Sequence, residues 1–219
     1  MSTDIHDEQD ENIPEHLCLI SLGSNLGDSA DNIKRAFRAL QIHSLLPIRK
    51  SSLWQSTPVD CPPDSPDFIN AAAAFVPLEN ETPESLLLKL QQIEIQFGRQ
   101  PKTVLNEPRA LDLDLITFKN EIHTSESLTL PHPRFHQRRF VLEPLMEITP
   151  HAILPGQTQT VAKLLAALDT NESLTLHSAH GLRQRAHSSP LVSRPWSVPH
   201  HRLRRYRPRQ HSYYSKSRG

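Results

Sequence analysis

The chain has little cysteine, no long apolar run, and no mixed charge at either end. Two cysteines, Cys18 and Cys61, among 219 residues cannot build a disulfide framework, and neither has a partner at metal-ligand spacing. A reducing cytoplasm is therefore expected. No apolar stretch approaches the ~20 residues that a membrane span requires, and the first residues are acidic where a secretory leader would be basic and then apolar. A soluble, unexported protein without membrane attachment is expected. No internal repeat is present.

The ends are where charge of one sign is missing. Residues 1–16 carry six acids (Asp4, Asp7, Glu8, Asp10, Glu11, Glu15) and no Lys or Arg, whereas residues 177–219 carry ten Lys or Arg, six His and no acid. The formal net charge of zero thus hides two opposed tails around a mildly acidic centre. The final segment also lacks Ile, Phe and Met while holding all three tyrosines, a composition too poor in large apolar side chains to build a core. The expected organisation is an acidic, disordered extension over 1–16, a folded domain over 17–176, and a basic, disordered tail over 177–219.

Periodicity and punctuation order the elements of that domain. Leu17 to Leu22 reads as a buried strand running into the tight loop Gly23-Ser24-Asn25-Leu26-Gly27. A helix is expected from about Ser29, with Ile33, Phe37 and Leu40 on one face. Arg49 to Val59 and Asp67 to Val76 read as strands joined by a Pro-rich loop, although four successive alanines at 71–74 argue against the second. Thr82-Pro83 supplies a capping hydroxyl and a proline for the first helical position, and Leu86, Leu90, Ile93 and Phe97 form the apolar stripe that follows. A strand through residues 111–116 closes a βαββαβ series. The expected class is α+β, a ferredoxin-like sandwich in which two helices cover one face of an antiparallel sheet and leave the other free for ligands. Thr160, Val161, Leu164, Leu165 and Leu168 suggest a final helix.

The last strand of the series carries the chemistry. Asp112 and Asp114 sit two residues apart, so their side chains share a strand face about 6 to 7 Å apart while Leu111, Leu113 and Leu115 line the other. Carboxylates this close repel unless a cation or a proton intervenes, and Mg2+ is the usual solution. Arg99, Arg109, Arg134, Arg138 and Arg139 flank the pair in sequence. Guanidinium forks match phosphate oxygens, which points to a polyphosphate held between metal and arginine, with a nucleotide as the economical choice.

Taken together, Leu22-Gly23-Ser24-Asn25-Leu26-Gly27, Ser56-Thr57-Pro58, Asp67-Phe68-Ile69-Asn70-Ala71, Ile93-Glu94 with Gly98-Arg99, Pro108-Arg109 before Leu111-Asp112-Leu113-Asp114, and Leu130-Pro131-His132-Pro133-Arg134 before Arg138 and Phe140 closely resemble the 6-hydroxymethyl-7,8-dihydropterin pyrophosphokinase family. The resemblance covers roughly residues 17 to 170 in the family's order and spacing. It implies a ferredoxin-like fold and transfer of the β,γ-pyrophosphoryl group of ATP to the pterin hydroxymethyl group, with release of AMP, in folate biosynthesis. It implies that Asp112 and Asp114 hold two Mg2+ ions and that Arg99 and Arg109 join them in catalysis. The ATP side would be formed by Gln91, Glu94, Arg99, Leu115, Thr129, His132 and Arg138, with Glu94 alternatively a helix residue paired to a nearby arginine. The pterin side would be formed by Thr57, Pro58, Phe68, Asn70, Asp112 and Phe140, the two phenylalanines as an aromatic sandwich and Asn70 reading the ring edge. Surface ion pairing accounts for Arg134 and Arg139.

The chain departs from the family pattern before its metal strand, where many members carry Trp-Gly on a mobile loop and this one carries Asn106-Glu107. The loop from Gln100 to Glu107 is thus expected to close differently, and the tryptophan's role does not pass to Asn106. Pro133 replaces an aromatic residue of some relatives. Two other classes of function fit parts of the sequence. The basic tail, with Arg202-Leu203-Arg204-Arg205-Tyr206-Arg207, has the charge of an RNA-binding module, but a solvated extension is the preferred reading, and a monomer is expected. A metal-dependent phosphohydrolase built on Asp112, Asp114 and His132 leaves Phe68, Asn70 and Phe140 without a purpose.

Overall fold

Side-chain caps and turn residues set the element boundaries in a computed structural model, which describes residues 16–59, 61–100 and 107–179. The chain divides into two units, Met1–Arg185 and Ala186–Gly219, and every described residue belongs to the first. The acidic extension up to residue 15, the basic tail from residue 180 and most of the loop between Gln100 and Glu107 lie outside the described residues. Among the described residues, no helix is long and apolar enough to cross a membrane.

Strand β1 (Cys18–Ser24) leads to α1 (Ser29–Gln41), which starts where the Asp28 carboxylate accepts the Asp31 N–H. Three strands follow: β2 (Arg49–Lys50), β3 (Leu53–Ser56) and β4 (Phe68–Phe75). Helix α2 (Pro83–Gln96) begins with Thr82 and Ser85 capping each other's backbone N–H groups, the reciprocal arrangement of a capping box. Strand β5 (Asp112–Phe118) carries the two carboxylates. A small hairpin, β6 (His123–Thr124) with β7 (Thr129–Leu130), precedes α3 (Arg139–Ile148), α4 (Val161–Ala167) and β8 (Leu174–Ser178).

The class is α+β, as the periodicity predicts. The main sheet is antiparallel in the order β5-β1-β4-β3-β8, with β2 also pairing β4. Between residues 18 and 118 the element order is βαββαβ once β2 and β3 are counted as one interrupted strand. The interruption at Ser51-Ser52 is satisfied by side chains: Ser51 Oγ accepts the Ala72 N–H at 2.8 Å, and the Glu147 carboxylate accepts the Ser52 N–H at 2.7 Å. A single strand from Arg49 to Val59 is therefore replaced by two short ones.

One face of the sheet matches expectation. Cys18, Ile20 and Leu22 of β1, Ala71, Ala73 and Phe75 of β4, and Leu113 and Leu115 of β5 pack with Ile33, Phe37 and Leu40 of α1 and Leu86, Leu90 and Ile93 of α2. The other face is not wholly free for ligands, contrary to the two-layer expectation. Helix α3 packs on β4 and β3 there, burying Val141, Leu142 and Leu145. The four alanines fit this arrangement: Ala71 and Ala73 face one layer and Ala72 and Ala74 the other, and all four are buried. Small side chains let helices approach β4 from both sides, so tertiary packing overrides the weak strand preference of alanine. Strand β8 adds an edge beside β3 that periodicity does not reveal, because four of its five residues are exposed. It also runs to Ser178, across the boundary drawn after residue 176.

Double-sided burial of β4 has a measurable consequence. Replacing Ala74, which faces the α3 layer, by Leu pushes extra methylenes into a packed layer and is expected to cost about 1–3 kcal/mol, read as a lower urea midpoint at unchanged slope. An unchanged midpoint would mean that β4 is covered on one side only.

Candidate active site

Strand register decides which side chains meet. Gly23 of β1 lies opposite Asn70 on one side and Asp112 on the other, and Trp54 lies opposite Asn70. One row along, Ser21 stands between Ala72 and Asp114, while Ser56 pairs with Phe68. Paired positions share a face, so Phe68, Asn70, Asp112 and Asp114 project together on the side away from α1 and α2. Gly23 leaves the floor between them open. A Cβ there would stand 3.7 Å from Asn70 Oδ1, 3.8 Å from a Phe68 ring carbon and 3.9 Å from Asp112 Cβ, so anything longer would fill the space they share.

Above this floor lies a cleft of about 1010 Å³, at the top of the ~300–1,000 Å³ range for small-molecule sites. Helix α2 supplies Gln91 and Glu94, the following turn Arg99, the approach to β5 Arg109, the segment after β7 His132 and Arg138, helix α3 Phe140, and the end of β3 Thr57. Twelve of the residues singled out in the sequence thus line one cavity. Pro58, Leu115 and Thr129 do not. Leu115 is buried in the apolar layer under α1 and α2, because its position in β5 has the opposite parity to Asp114. Thr129 is exposed at the start of β7, opposite Thr124.

The carboxylates differ in setting. Asp112 Oδ1 accepts a hydrogen bond from Arg109 Nη1 at 3.0 Å and has Arg99 Nη1 at 3.5 Å. Asp114 has no such contact at hand: burial first, and then repulsion by Asp112, push its pKa up, against the opposing pull of Arg138, Arg109 and Arg99. Glu94 takes the helix role that the sequence left open. Its Oε1 accepts the Leu113 N–H at 2.8 Å and pairs with Arg99 Nη1, tying α2 and Arg99 to the strand between the two aspartates. Burial raises its pKa to about 7, although the Leu113 N–H and Arg99 hold it down.

The donors are equally constrained. Arg109 is fixed through its backbone by Asn25, whose Oδ1 accepts the Arg109 N–H at 2.8 Å and whose own N–H donates to the Arg109 carbonyl at 3.1 Å. The Arg109 Nε is buried with no hydrogen-bond partner, a donor that a bound anion or water would satisfy. His132 Nδ1 accepts the Arg134 N–H at 3.3 Å, which places the ring proton on Nε2. Burial, with Arg138 and Arg134 nearby, lowers its pKa to about 4, so at neutral pH His132 is an uncharged donor. Asn70 donates from Nδ2 to Ser56 Oγ at 2.8 Å, and Arg138 lies 5.4 Å from the centre of the Phe140 ring.

Two charged lining residues were given no site role by the sequence. Arg134 lines the cleft rather than serving a surface ion pair, while Arg139 does pair with Glu143 at 3.2 Å. Glu172 also lines the cleft and accepts the backbone N–H of Arg139 at 2.7 Å. No local pattern announces a contact made 33 residues along the chain. Among the described residues, no group of three or more His, Cys, Asp or Glu side chains is placed to hold a metal ion, so Asp112 and Asp114 would supply only part of a coordination shell.

Similarity to known proteins follows the same residues. A family model described as 7,8-dihydro-6-hydroxymethylpterin-pyrophosphokinase (HPPK) matches residues 19–150. The chain is 36% identical over 160 residues to 2-amino-4-hydroxy-6-hydroxymethyldihydropteridine pyrophosphokinase of Haemophilus influenzae, covering 72% of this chain and 96% of that one. It is 38% identical over 134 residues to the protein of the same name from Bacillus subtilis, covering 61% and 78%. The Pneumocystis carinii folic acid synthesis protein fol1 is 36% identical over 155 residues, which are 71% of this chain but 20% of that longer one. The solved structure of wild-type Plasmodium falciparum HPPK-DHPS with pterin and p-hydroxybenzoate superimposes with a TM-score of 0.52 at 14% identity, over 68% of this chain and 42% of that chain. At that identity the likeness speaks for the fold.

Glu94 gives this site a pH signature. Its folded pKa is raised, so the folded state holds the proton more tightly than the unfolded state, and stability falls as pH climbs from about 4.5 to about 7 and then levels off. Relative to Glu94→Gln, the wild-type protein is expected to lose on the order of 1 to 3 kcal/mol across that window. Urea midpoints of both proteins at pH 5 and pH 8 check this; parallel profiles would show that Glu94 is ionised throughout.

Proposed function

The chain belongs to the 7,8-dihydro-6-hydroxymethylpterin-pyrophosphokinase family, and we propose that the cleft over β1, β4 and β5 is its active site. The reaction transfers a pyrophosphoryl group from ATP to the hydroxymethyl group of 6-hydroxymethyl-7,8-dihydropterin in folate synthesis. The substrate oxygen bonds to the β-phosphorus of ATP, the bond from that phosphorus to the α,β-bridging oxygen breaks, AMP leaves with the bridging oxygen, and the hydroxyl proton is lost. One observation carries the assignment of the site. Strand register and α3 bring a carboxylate pair, a ring of phosphate-matching donors and the Phe68, Asn70 and Phe140 side chains to a single cavity large enough for both substrates.

Asp112 and Asp114 suit Mg2+ on donor chemistry: two hard carboxylates share a face, and the pKa of one is raised by burial beside the other, a strain that a dication relieves. We assign two Mg2+ ions to this pair, with phosphate oxygens and water completing their shells. When bound, the metal would neutralise triphosphate charge and favour loss of the substrate hydroxyl proton. Arg99 and Arg109 stand over Asp112 and would turn to phosphate oxygens when a nucleotide enters. Buried Arg109 Nε is a donor already desolvated and waiting for an acceptor. Arg138 supplies positive charge and His132 a neutral Nε2–H, so the departing AMP and the transferred group meet donors whose positions are set beforehand. Gln91 and Glu94 flank the nucleotide from α2.

On the other side, Phe68 and Phe140 offer aromatic surface for the flat pterin ring, and Thr57 borders it. Asn70 has its amide nitrogen engaged by Ser56, which fixes the orientation of the group and leaves Oδ1 as the acceptor toward the ring edge. A phosphohydrolase would use the same carboxylates and leave this half of the cleft idle. Cytoplasmic placement agrees with the low cysteine content.

The direct test is AMP formation from ATP with and without 6-hydroxymethyl-7,8-dihydropterin; AMP that appears regardless of pterin would sink the assignment. Asp112→Asn and Asp114→Asn are each expected to lower turnover by orders of magnitude at saturating Mg2+, and Asp114→Asn to hold or raise metal-free thermal stability because it relieves carboxylate repulsion without giving up the Arg109 ion pair that Asp112 makes. Near-normal turnover in either variant would remove the metal from that residue. Phe140→Ala loses a stacking surface worth about 0.5–1.5 kcal/mol beyond its area, so the pterin KM is expected to rise several-fold with ATP affinity nearly unchanged. Equal weakening of both would make Phe140 a packing residue.

A further inference from the structure

We propose that Glu172 is a positioning residue for the cleft, holding the first turn of α3 and, through it, Phe140 and Arg138. The proposal rests on the reading of the cleft as the pyrophosphokinase site. Helix α3 opens without a local cap: its N-cap residue is Arg138, which makes no side-chain capping hydrogen bond. The third and fourth N–H groups of the helix, from Val141 and Leu142, reach the Arg138 carbonyl at 3.1 and 3.0 Å. The first two, from Arg139 and Phe140, have no acceptor within the helix. Glu172 Oε2 accepts both, at 2.7 and 3.3 Å. A carboxylate at this end also faces the positive pole of the helix.

The two residues flanking this bond are the ones the site uses. Arg138 precedes the helix, Phe140 is its second residue, and both line the cleft together with Glu172. Glu172 is itself anchored on each side. Its N–H donates to Thr170 Oγ1 at 3.2 Å, and two residues later β8 begins, pairing Leu174 with Ser56, the hydroxyl that orients Asn70. The segment 170–174 therefore couples the start of α3 to the strand beside the pterin half of the cleft. It lies beyond residues 19–150, which the family model matches.

Removing an N-cap acceptor destabilises the turn it caps, and here the loss would fall on the turn that aims Phe140. In the full-length chain, assayed by AMP formation at saturating ATP, Glu172→Ala is expected to raise the pterin KM about fivefold or more and to lower kcat by a smaller factor, because Arg138 moves with the same turn as Phe140. Glu172→Gln keeps an oxygen acceptor for the two N–H groups and is expected to restore most of the lost KM. Should the alanine variant fail to fold in a thermal melt, Glu172→Asp, which withdraws the carboxylate by one methylene, is expected to show the same KM shift. A pterin KM within twofold of wild type, or a lowered melting temperature with KM unchanged, would reduce Glu172 to a stability role and overturn the proposal. A glutamine variant as impaired as alanine would overturn it too, by placing the effect in charge rather than in the cap. Wild-type protein that made no pterin-dependent AMP would instead refute the function assigned to the cleft, before any variant is compared.

Discussion

The antiparallel register of β1 between β4 and β5 is the constraint on which the site depends. It sets Asn70, Gly23 and Asp112 in one row and Ala72, Ser21 and Asp114 in the next. A slip of one residue in the β1–β5 ladder would turn the carboxylates into the apolar layer under α1 and α2 and bring leucines to the cleft, and a slip in the β1–β4 ladder would turn Phe68 and Asn70 away from it. Burial enforces the register, because Ile20, Leu22, Leu113 and Leu115 on the opposite face have only one layer in which to bury themselves. The catalytic face is thus specified by hydrophobic packing on the other side of the sheet. Gly23 completes the arrangement by contributing no side chain at the point where the two halves of the cleft adjoin.

Electrostatics in the cleft follows from what the sheet buries. Two carboxylates are held where neither is well solvated, and three arginines, one of them shared with Glu94, are arranged to make that tolerable without a ligand. Arg99 divides itself between Glu94 and Asp112, while Arg109 contacts Asp112. Asp114 keeps a raised pKa because these cations do not compensate it fully. The unliganded site is therefore charged in a way that a cation and a polyanion, arriving together, would both relieve. His132 adds to this without adding charge. Its Nδ1 is taken by the Arg134 N–H, and its depressed pKa keeps the ring neutral beside Arg138, where a second cation would be costly.

Much of this was legible in the sequence, and the reasons for the rest are physical. Helices α1 and α2 announced themselves by 3.6-residue stripes and, for α2, by the cap at Thr82, signals that are local. The Asp112–Asp114 pair was legible because alternation in a strand fixes the face directly. Strand β4 read poorly because four alanines have weak strand preference, and only burial between two helix layers explains them. Helix α3 escaped notice: Pro144 sits inside it, and its first turn is capped from position 172 rather than by a neighbouring side chain. Leu115 and Thr129 were carried over from the family pattern, yet their side chains face the core and the surface. Family position identifies a place along the chain; strand parity decides whether a side chain can reach a ligand.

The cleft lies where the second layer of helices stops. Val141, Leu142, Leu145 and Ile148 bury α3 against the sheet, and its far end is held by Arg49, which donates to the Ile148 carbonyl at 3.0 Å, and by Glu147, which accepts from Ser52 and Trp54. That end covers the Ala72 and Ala74 part of β4. The near end carries Arg138 and Phe140 over the Asn70 part, where the floor is Gly23 and the carboxylates rather than packed alkyl groups. The same helix therefore closes a second core at one end and forms a wall of the site at the other. From Val141 onward it is fixed by apolar burial, whereas the first two residues of its opening turn, Arg139 and Phe140, are not buried and depend on hydrogen bonds. Errors in the position of that turn pass directly to Phe140 and Arg138, which is why a single distant carboxylate there can matter to substrate binding while contributing modestly to the stability of the whole domain.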